Sequence, residues 1–164
     1  MLLKVINDLE RIADHGENVL EAAEEMVEKE LKFSSAAKAE LAVLTAAVDE
    51  VMQLALEAFT QRDLEKAYRV EPLEEVIDGL KEQMRTRHIL RMQQGACTIE
   101  AGFVWSDLLT SLERVSDHCS NIAGAVIDLV GLNPNNVEAL RSAKVDYSHF
   151  GELFTEYSQK YSLN

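Results

Sequence analysis

Glycine and proline are scarce, 7 and 2 in a chain of 164 residues. Hairpin and turn-rich architectures draw on both, so the count disfavours an all-β fold and excludes collagen-like and low-complexity classes. Cysteine is limited to Cys97 and Cys119. Two cysteines do not build a disulfide framework and read as free thiols in a reducing cytoplasm. No apolar run approaches the roughly 20 residues that a membrane-spanning helix needs. The first ten residues lack signal-peptide shape, because an acidic side chain arrives at Asp8. Positive charge is short as well: 16 Lys and Arg stand against 29 Asp and Glu, a net charge of −13. Such a field repels a polyanion and argues against nucleic acid as a partner, while it is compatible with cations. Nucleophile-elbow and P-loop patterns are absent.

Apolar residues make up 47% of the chain and recur at steps of three and four. Leu2, Val5, Ile6, Leu9, Ile12, Val19, Leu20, Met26 and Val27 mark a first helix to about Leu31. Ser34-Ser35 breaks it, with Ser35 able to cap the next. A second pattern runs from Ala36 to about Phe59, and Asp63 is placed to cap a third from Leu64 to Gln94. Pro72 predicts a kink or break near Val70–Glu71, and Gly95 a stop. A fourth helix is predicted from about Thr98 to Val130, with Gly131 as its stop. Short loops force neighbouring long helices antiparallel. The fold expected is all-α, an elongated antiparallel helix bundle. Beyond the loop 131–136, Tyr147, Phe150, Phe154, Tyr157 and Tyr161 form a helical aromatic stripe, read as a face that docks on the bundle.

One segment occurs twice. Residues 9–19 read Leu-Glu-Arg-Ile-Ala-Asp-His-Gly-Glu-Asn-Val, and residues 112–122 read Leu-Glu-Arg-Val-Ser-Asp-His-Cys-Ser-Asn-Ile. Six of eleven positions are identical at an offset of 103, which points to an internal duplication. In each copy a Glu and an Asp stand four apart, Glu10 with Asp14 and Glu113 with Asp117, so both carboxylates face one side of a helix. Glu74 and Asp78 repeat the spacing in the third helix. One such pair reads as a solvated face; three, two of them inside a duplicated motif, read as a paired-carboxylate site. Oxygen donors suit Mg²⁺, Ca²⁺ or Mn²⁺, and adding imidazole broadens the choice to iron and zinc. His15 and His118 follow the Asp directly and project about 100° away from it, so they read as boundary histidines with a satisfied hydrogen bond. The third helix also sorts its charges, with Glu65, Glu71, Glu74, Glu75 and Asp78 early and Lys81, Arg85, Arg87, His88 and Arg91 late. That order complements the helix dipole, and the basic half could also receive an anion.

The duplicated Leu-Glu-Arg-Ile/Val-x-Asp-His-x-x-Asn-Ile/Val resembles the signature of the PhoU family. It looks closest to the PhoU-like domain at the C-terminus of bacterial sodium-dependent phosphate transporters. Arg69-Val-Glu-Pro-Leu-Glu-Glu-Val-Ile-Asp78, Arg87-His-Ile-Leu-Arg91 and Ser106-Asp-Leu-Leu-Thr110 are similar to that branch. The resemblance covers about residues 1–131. It implies two repeated three-helix bundles whose Glu/Asp-x-x-x-Asp motifs bind a divalent or trivalent metal ion, iron or zinc. The positions carried over are Glu10, Asp14, Glu113 and Asp117, with Glu74 and Asp78 from the neighbouring helix. The implied role is negative regulation of phosphate uptake, through contact with a transmembrane phosphate transporter domain, in the same full-length chain or another, or with a phosphate-sensing histidine kinase.

In that frame, residues 1–33 are the last helix of a truncated first repeat, 36–131 a complete second repeat, and 132–164 a loop and C-terminal aromatic helix. The location expected is cytoplasmic, tethered to the membrane where a transporter domain precedes it. Two other functions compete with this one. A structural or adaptor bundle would use the duplicated motif for packing alone. A carboxylate-bridged metalloenzyme would need Glu-x-x-His motifs, and the residues three before the four histidines are Ile12, Arg85, Val115 and Asp146. The reading is therefore non-enzymatic, with Glu74/Asp78 and Glu113/Asp117 sharing one cation across facing helices. A first helix without its two repeat partners also predicts a homodimer through its apolar stripe.

Overall fold

The computed structural model describes residues 2–131 and 149–163. Among them are five helices and no strand: α1 (Leu2–Glu28), α2 (Ser35–Gln61), α3 (Leu64–Gln93), α4 (Ile99–Gly131) and α5 (Phe150–Lys160). At 1.5 Å per residue the first four are roughly 40–50 Å long. The expected all-α bundle is what the chain forms. None of these helices is long and apolar enough to cross a membrane.

Helices α2, α3 and α4 pack mutually as a three-helix bundle. Its core is apolar at helical spacing: Leu44, Val51, Ala55 and Ala58 from α2, Val70, Leu73, Ile77 and Met84 from α3, and Val104, Trp105, Ile122 and Val126 from α4. The four residues of α3 named here sit at steps of three, four and seven, so one stripe faces inward. Pro72 lies within that run, and α3 continues through it without the break the sequence suggests. A proline inside a helix costs about 3 kcal/mol. Burial of Pro72 itself and of Val70 and Leu73 on either side offsets that cost.

Helix ends follow local chemistry. Ser34, not Ser35, caps α2, its hydroxyl accepting from Ala37 N at 3.2 Å. Phe33 is buried edge-on against Trp105, ring centres 5.0 Å apart, and this anchor leaves Ser34 as the extended residue before the first turn. Asp63 caps α3, accepting from Lys66 N at 3.2 Å. Gly95, at φ +69°, closes α3, with Ala96 N on Arg91 O and Gly95 N on Met92 O. Helix α1 closes in the same way three residues before Leu31, with Glu30 at φ +53° in the glycine position.

Among the described helices, α1 packs on α4 alone and runs antiparallel to it. Asp8, near the start of α1, meets Asn121, while Glu25, near its end, shares a small cavity with Asp107. The two copies of the duplicated motif therefore face one another. The opposite side of α1 is open, with Leu2, Leu3, Ile6, Leu20 and Val27 exposed, Val27 at 80%. The C-terminal aromatic face docks on the bundle, as expected, with α5 packed on α3. Tyr157 is fully buried and accepts from Arg69 Nε at 3.1 Å. Tyr161 donates to Glu50, which also pairs with Lys160 at 2.7 Å. The expected loop and Tyr147 lie outside the described residues.

Candidate metal centre

Glu74 and Asp78 stand four positions apart, and α3 holds both on the side turned toward α4. Asp117 reaches the same place from α4. One carboxylate oxygen from each of the three lies within 4.8 Å of the others, with Glu74 and Asp117 half-buried and Asp78 exposed. The pairing has an electrostatic signature. Burial, followed by the charges of Asp78, Glu71 and Asp117, pushes the Glu74 carboxyl up to about 8. Burial, then Glu113 and Asp117, raises Asp78 too. Nearby positive charge reaches the cluster from Arg114, whose guanidinium is 3.2 Å from Asp117, and from Lys81, whose charge partly offsets the rise at Asp78. Three convergent carboxylates, short of positive charge and partly shielded from water, form a hard oxygen donor set of the kind divalent cations take.

The other three candidate ligands are placed differently. Glu113 is nearly buried beside the cluster, but Lys81 holds it at 2.9 Å, with Arg114 Nε at 3.8 Å. Its charge is compensated within the bundle, and it is not one of the three convergent oxygens. Glu10 and Asp14 sit on an exposed face of α1, where Asp14 pairs with Arg11 of the same helix at 3.6 Å. No described helix faces them with a second carboxylate pair.

The histidines turn away from the carboxylates into the α1–α4 seam. His118 Nδ1 lies 2.9 Å from Asp8 Oδ1, which also accepts from Asn121 Nδ2 at 3.3 Å. His15 stacks on His118, its counterpart in the duplication, with centroids 5.7 Å apart. His118 is thus the satisfied boundary histidine expected. His15 is not: its buried Nδ1 finds no partner among the described residues, and burial followed by the His118 charge lowers its pKa. The position matching Asp8 in the second copy is Ser111, which lines one cavity with His15 and Asn18. A neutral hydroxyl stands there instead of an acid. Asp8 precedes the repeated segment by one position, so the duplication does not mark it. Its spacing of seven from His15 would have marked it as facing the seam.

The PhoU domain model matches residues 41–126. The chain is 32% identical over 143 residues to phosphate-specific transport system accessory protein PhoU homolog 1 of Thermotoga maritima, covering 87% of this chain and 60% of that protein. It is 30% identical over 129 residues to a PhoU homolog of the same description from Pseudomonas aeruginosa, covering 77% of this chain and 52% of that protein. The chain thus spans between about half and three fifths of these relatives. No solved structure matches it significantly. The family model spans most of α2, all of α3 and most of α4, the helices that carry the carboxylate cluster. The chain belongs to the PhoU family.

Proposed function

We propose that the chain is a non-enzymatic accessory domain of phosphate transport, one that holds a metal cation at Glu74, Asp78 and Asp117 and acts by contact with a membrane phosphate transporter. The family assignment and the accessory role named for both relatives support the transport reading. The observation that carries the cation is the Glu74 carboxyl, pushed up to about 8 beside two further carboxylates. Magnesium, manganese and calcium fit oxygen donors of this kind, and iron or zinc accept them as well. A bound cation would supply positive charge where three acids repel, joining α3 to α4. Glu74 and Asp78 would bind from one helix and Asp117 from the other, while Arg114 keeps Asp117 oriented. Such a joint makes the exposed face of the bundle sensitive to cation occupancy, which is what a contact regulator requires.

A sodium/phosphate symporter is the transporter that the resemblance of the motifs favours. The test is phosphate uptake by cells producing that transporter, with this chain intact or carrying Asp117→Ala. Uptake should rise when the domain is altered, in keeping with negative regulation. Uptake that is the same with the intact chain, the variant and no domain at all rejects the regulatory reading.

A further inference from the structure

Beyond the carboxylates, the same α3–α4 face opens into a cavity of about 490 Å³. Ile89, Met92, Ile99, Phe103 and Leu109 give it apolar walls, and Lys81 and Arg85 stand at its edge. Two of its lining side chains are deeply buried and polar. His88 is 6% exposed and Trp105 1%, the two rings stacked with centroids 5.7 Å apart. His88 Nε2 and Trp105 Nε1 are both buried without a hydrogen-bond partner among the described residues.

Gly102 packs against His88 Nε2 from α4. A Cβ at that position would stand 3.0 Å from His88 Nε2 and 3.0 Å from Met92 Sδ. The absent side chain leaves room for the imidazole, at the cost of a helix-weakening glycine in the middle of α4. Both nitrogens expose almost no surface, so they lie behind the cavity wall and are not presented to a ligand. Of the basic half of α3, Arg91 turns toward α2 and holds the buried Glu40 at 2.9 Å and 3.0 Å. Lys81 is tied to Glu113. Arg85 is exposed, with Glu82 at 3.9 Å on the same helix. In a chain of net charge −13 this is a local positive edge on an apolar cavity.

We propose that this cavity binds a small amphipathic anion, a carboxylate or phosphate ester with an apolar ring or short chain. The apolar body lies against Ile89, Met92 and Phe103. The anionic group pairs with Arg85 at the rim, and the stacked His88 and Trp105 rings line the cavity beneath the apolar body. The site does not depend on the cation centre.

Trp105 is the chain's single tryptophan, so its emission reports on this cavity alone. The probe is 4-bromobenzoate, whose bromine quenches indole emission only at short range, compared with the uncharged 4-bromobenzyl alcohol. Saturable quenching by the acid, several-fold weaker for the alcohol, is expected. Arg85→Glu and Phe103→Ser both alter exposed side chains, so circular dichroism should show both folded, and each should weaken binding of the acid several-fold. Quenching that rises linearly without saturation, or equally in all three proteins, overturns the site. Saturable quenching that is equal for acid and alcohol overturns the anion. Quenching reversed by inorganic phosphate places the recognition in the anionic head; quenching unaffected by phosphate but reversed by unbrominated benzoate places it in head and body together. Should either variant fail to fold, the comparison of acid with alcohol on the unaltered chain decides.

Discussion

The two copies of the repeated segment have nearly the same residues and very different surroundings. In α4 the second copy is covered on both sides, by α2 and α3 on one and by α1 on the other. Leu112, Val115 and Ile122 are buried there. In α1 the first copy touches, among the described helices, α4 alone, and the matching Leu9, Ile12 and Val19 are only half-buried. The acids diverge in the same way. Asp117 joins Glu74 and Asp78 across the bundle, whereas Asp14 pairs with Arg11 of its own helix. A Glu-x-x-x-Asp pair supplies oxygens on one side of one helix. A site needs a second helix presenting further oxygens to the first, and only α3 does so among the described residues.

The largest expected effect separates the two aspartates. Asp117→Ala removes one of three convergent carboxylates and should weaken cation binding by roughly 100-fold or more, since even outer-shell partners are worth 10–100-fold. Asp14→Ala should leave it unchanged. Titration calorimetry with Mn²⁺ on chelator-treated protein checks both, and equal losses in the two variants would erase the distinction. The same titration has a pH signature. The raised Glu74 holds its proton below about 8, so a cation must displace it, and affinity should climb as pH rises from 6 to 8. Without metal the sign is the reverse. A folded-state value above the unfolded one means that Glu74 favours folding below the unfolded carboxylate range, and this contribution is lost as pH climbs through 8. Glu74→Gln should therefore flatten both profiles.

Next in size is the difference in burial. Ile122 is fully buried and should cost about 2–5 kcal/mol on truncation to Ala. Its counterpart Val19 is half-buried, so Val19→Ala should cost under about 1.5 kcal/mol, having less to lose in both transfer and cavity. Urea denaturation of the two variants measures the contrast directly.

Most of this contrast was beyond reading from sequence, for identifiable reasons. The three-four periodicity carried helix number and nearly every boundary, because long amphipathic helices announce themselves locally. The paired acids were equally visible, but which of them converge depends on rotation of α3 against α4. A rotation of one side chain sends Glu113 to Lys81 and Asp117 to Glu74. The sequence has no term for that choice. Ser34 and Ser35 are chemically alike, and only the docking of Phe33 on Trp105 selects between them. Pro72 carries a local penalty that buried neighbours on both sides outweigh. The aromatic tail was legible as a docking face, while its destination on α3 rests on Tyr157 meeting Arg69, a contact 88 residues apart.

The open face of α1 gives the third contrast. With α5 committed to α3, the exposed Leu2, Leu3, Ile6 and Leu20 have no cover among the described residues. Pairing of two chains through these residues, about a twofold axis, is the expected outcome. Sedimentation at micromolar concentration should show a species of twice the chain mass, and Ile6→Glu should dissociate it. The matching position in α4 is Leu109, already buried, so Leu109→Glu should unfold the bundle instead. A single-chain species that persists on concentration removes the dimer.

The smallest effect lies where α1 stops. Glu30 occupies the left-handed position that closes the helix, at φ +53°, with Leu31 N on Met26 O at 2.9 Å and Glu30 N on Val27 O at 3.3 Å. A side chain there crowds the backbone by about 1 kcal/mol relative to glycine, which has no Cβ to crowd. Gly95 does the same work at the end of α3 without that cost. Glu30→Gly should therefore stabilise the fold. Glycine also loosens the unfolded chain, and that entropy opposes the gain, leaving about 0.5 kcal/mol. At this chain length such a change is worth roughly 1–2 °C in the midpoint of a thermal melt. The converse, Gly95→Ala, forces a Cβ into the left-handed region where open space surrounds it. Its penalty is backbone strain alone, again about 1 kcal/mol, and should lower the midpoint by roughly 2–4 °C. Melts of the two variants moving in opposite directions would show that the end of α1 is held by burial of Phe33 downstream and not by its own closing residue. A fall in both would mean that Glu30 makes a compensating contact in solution.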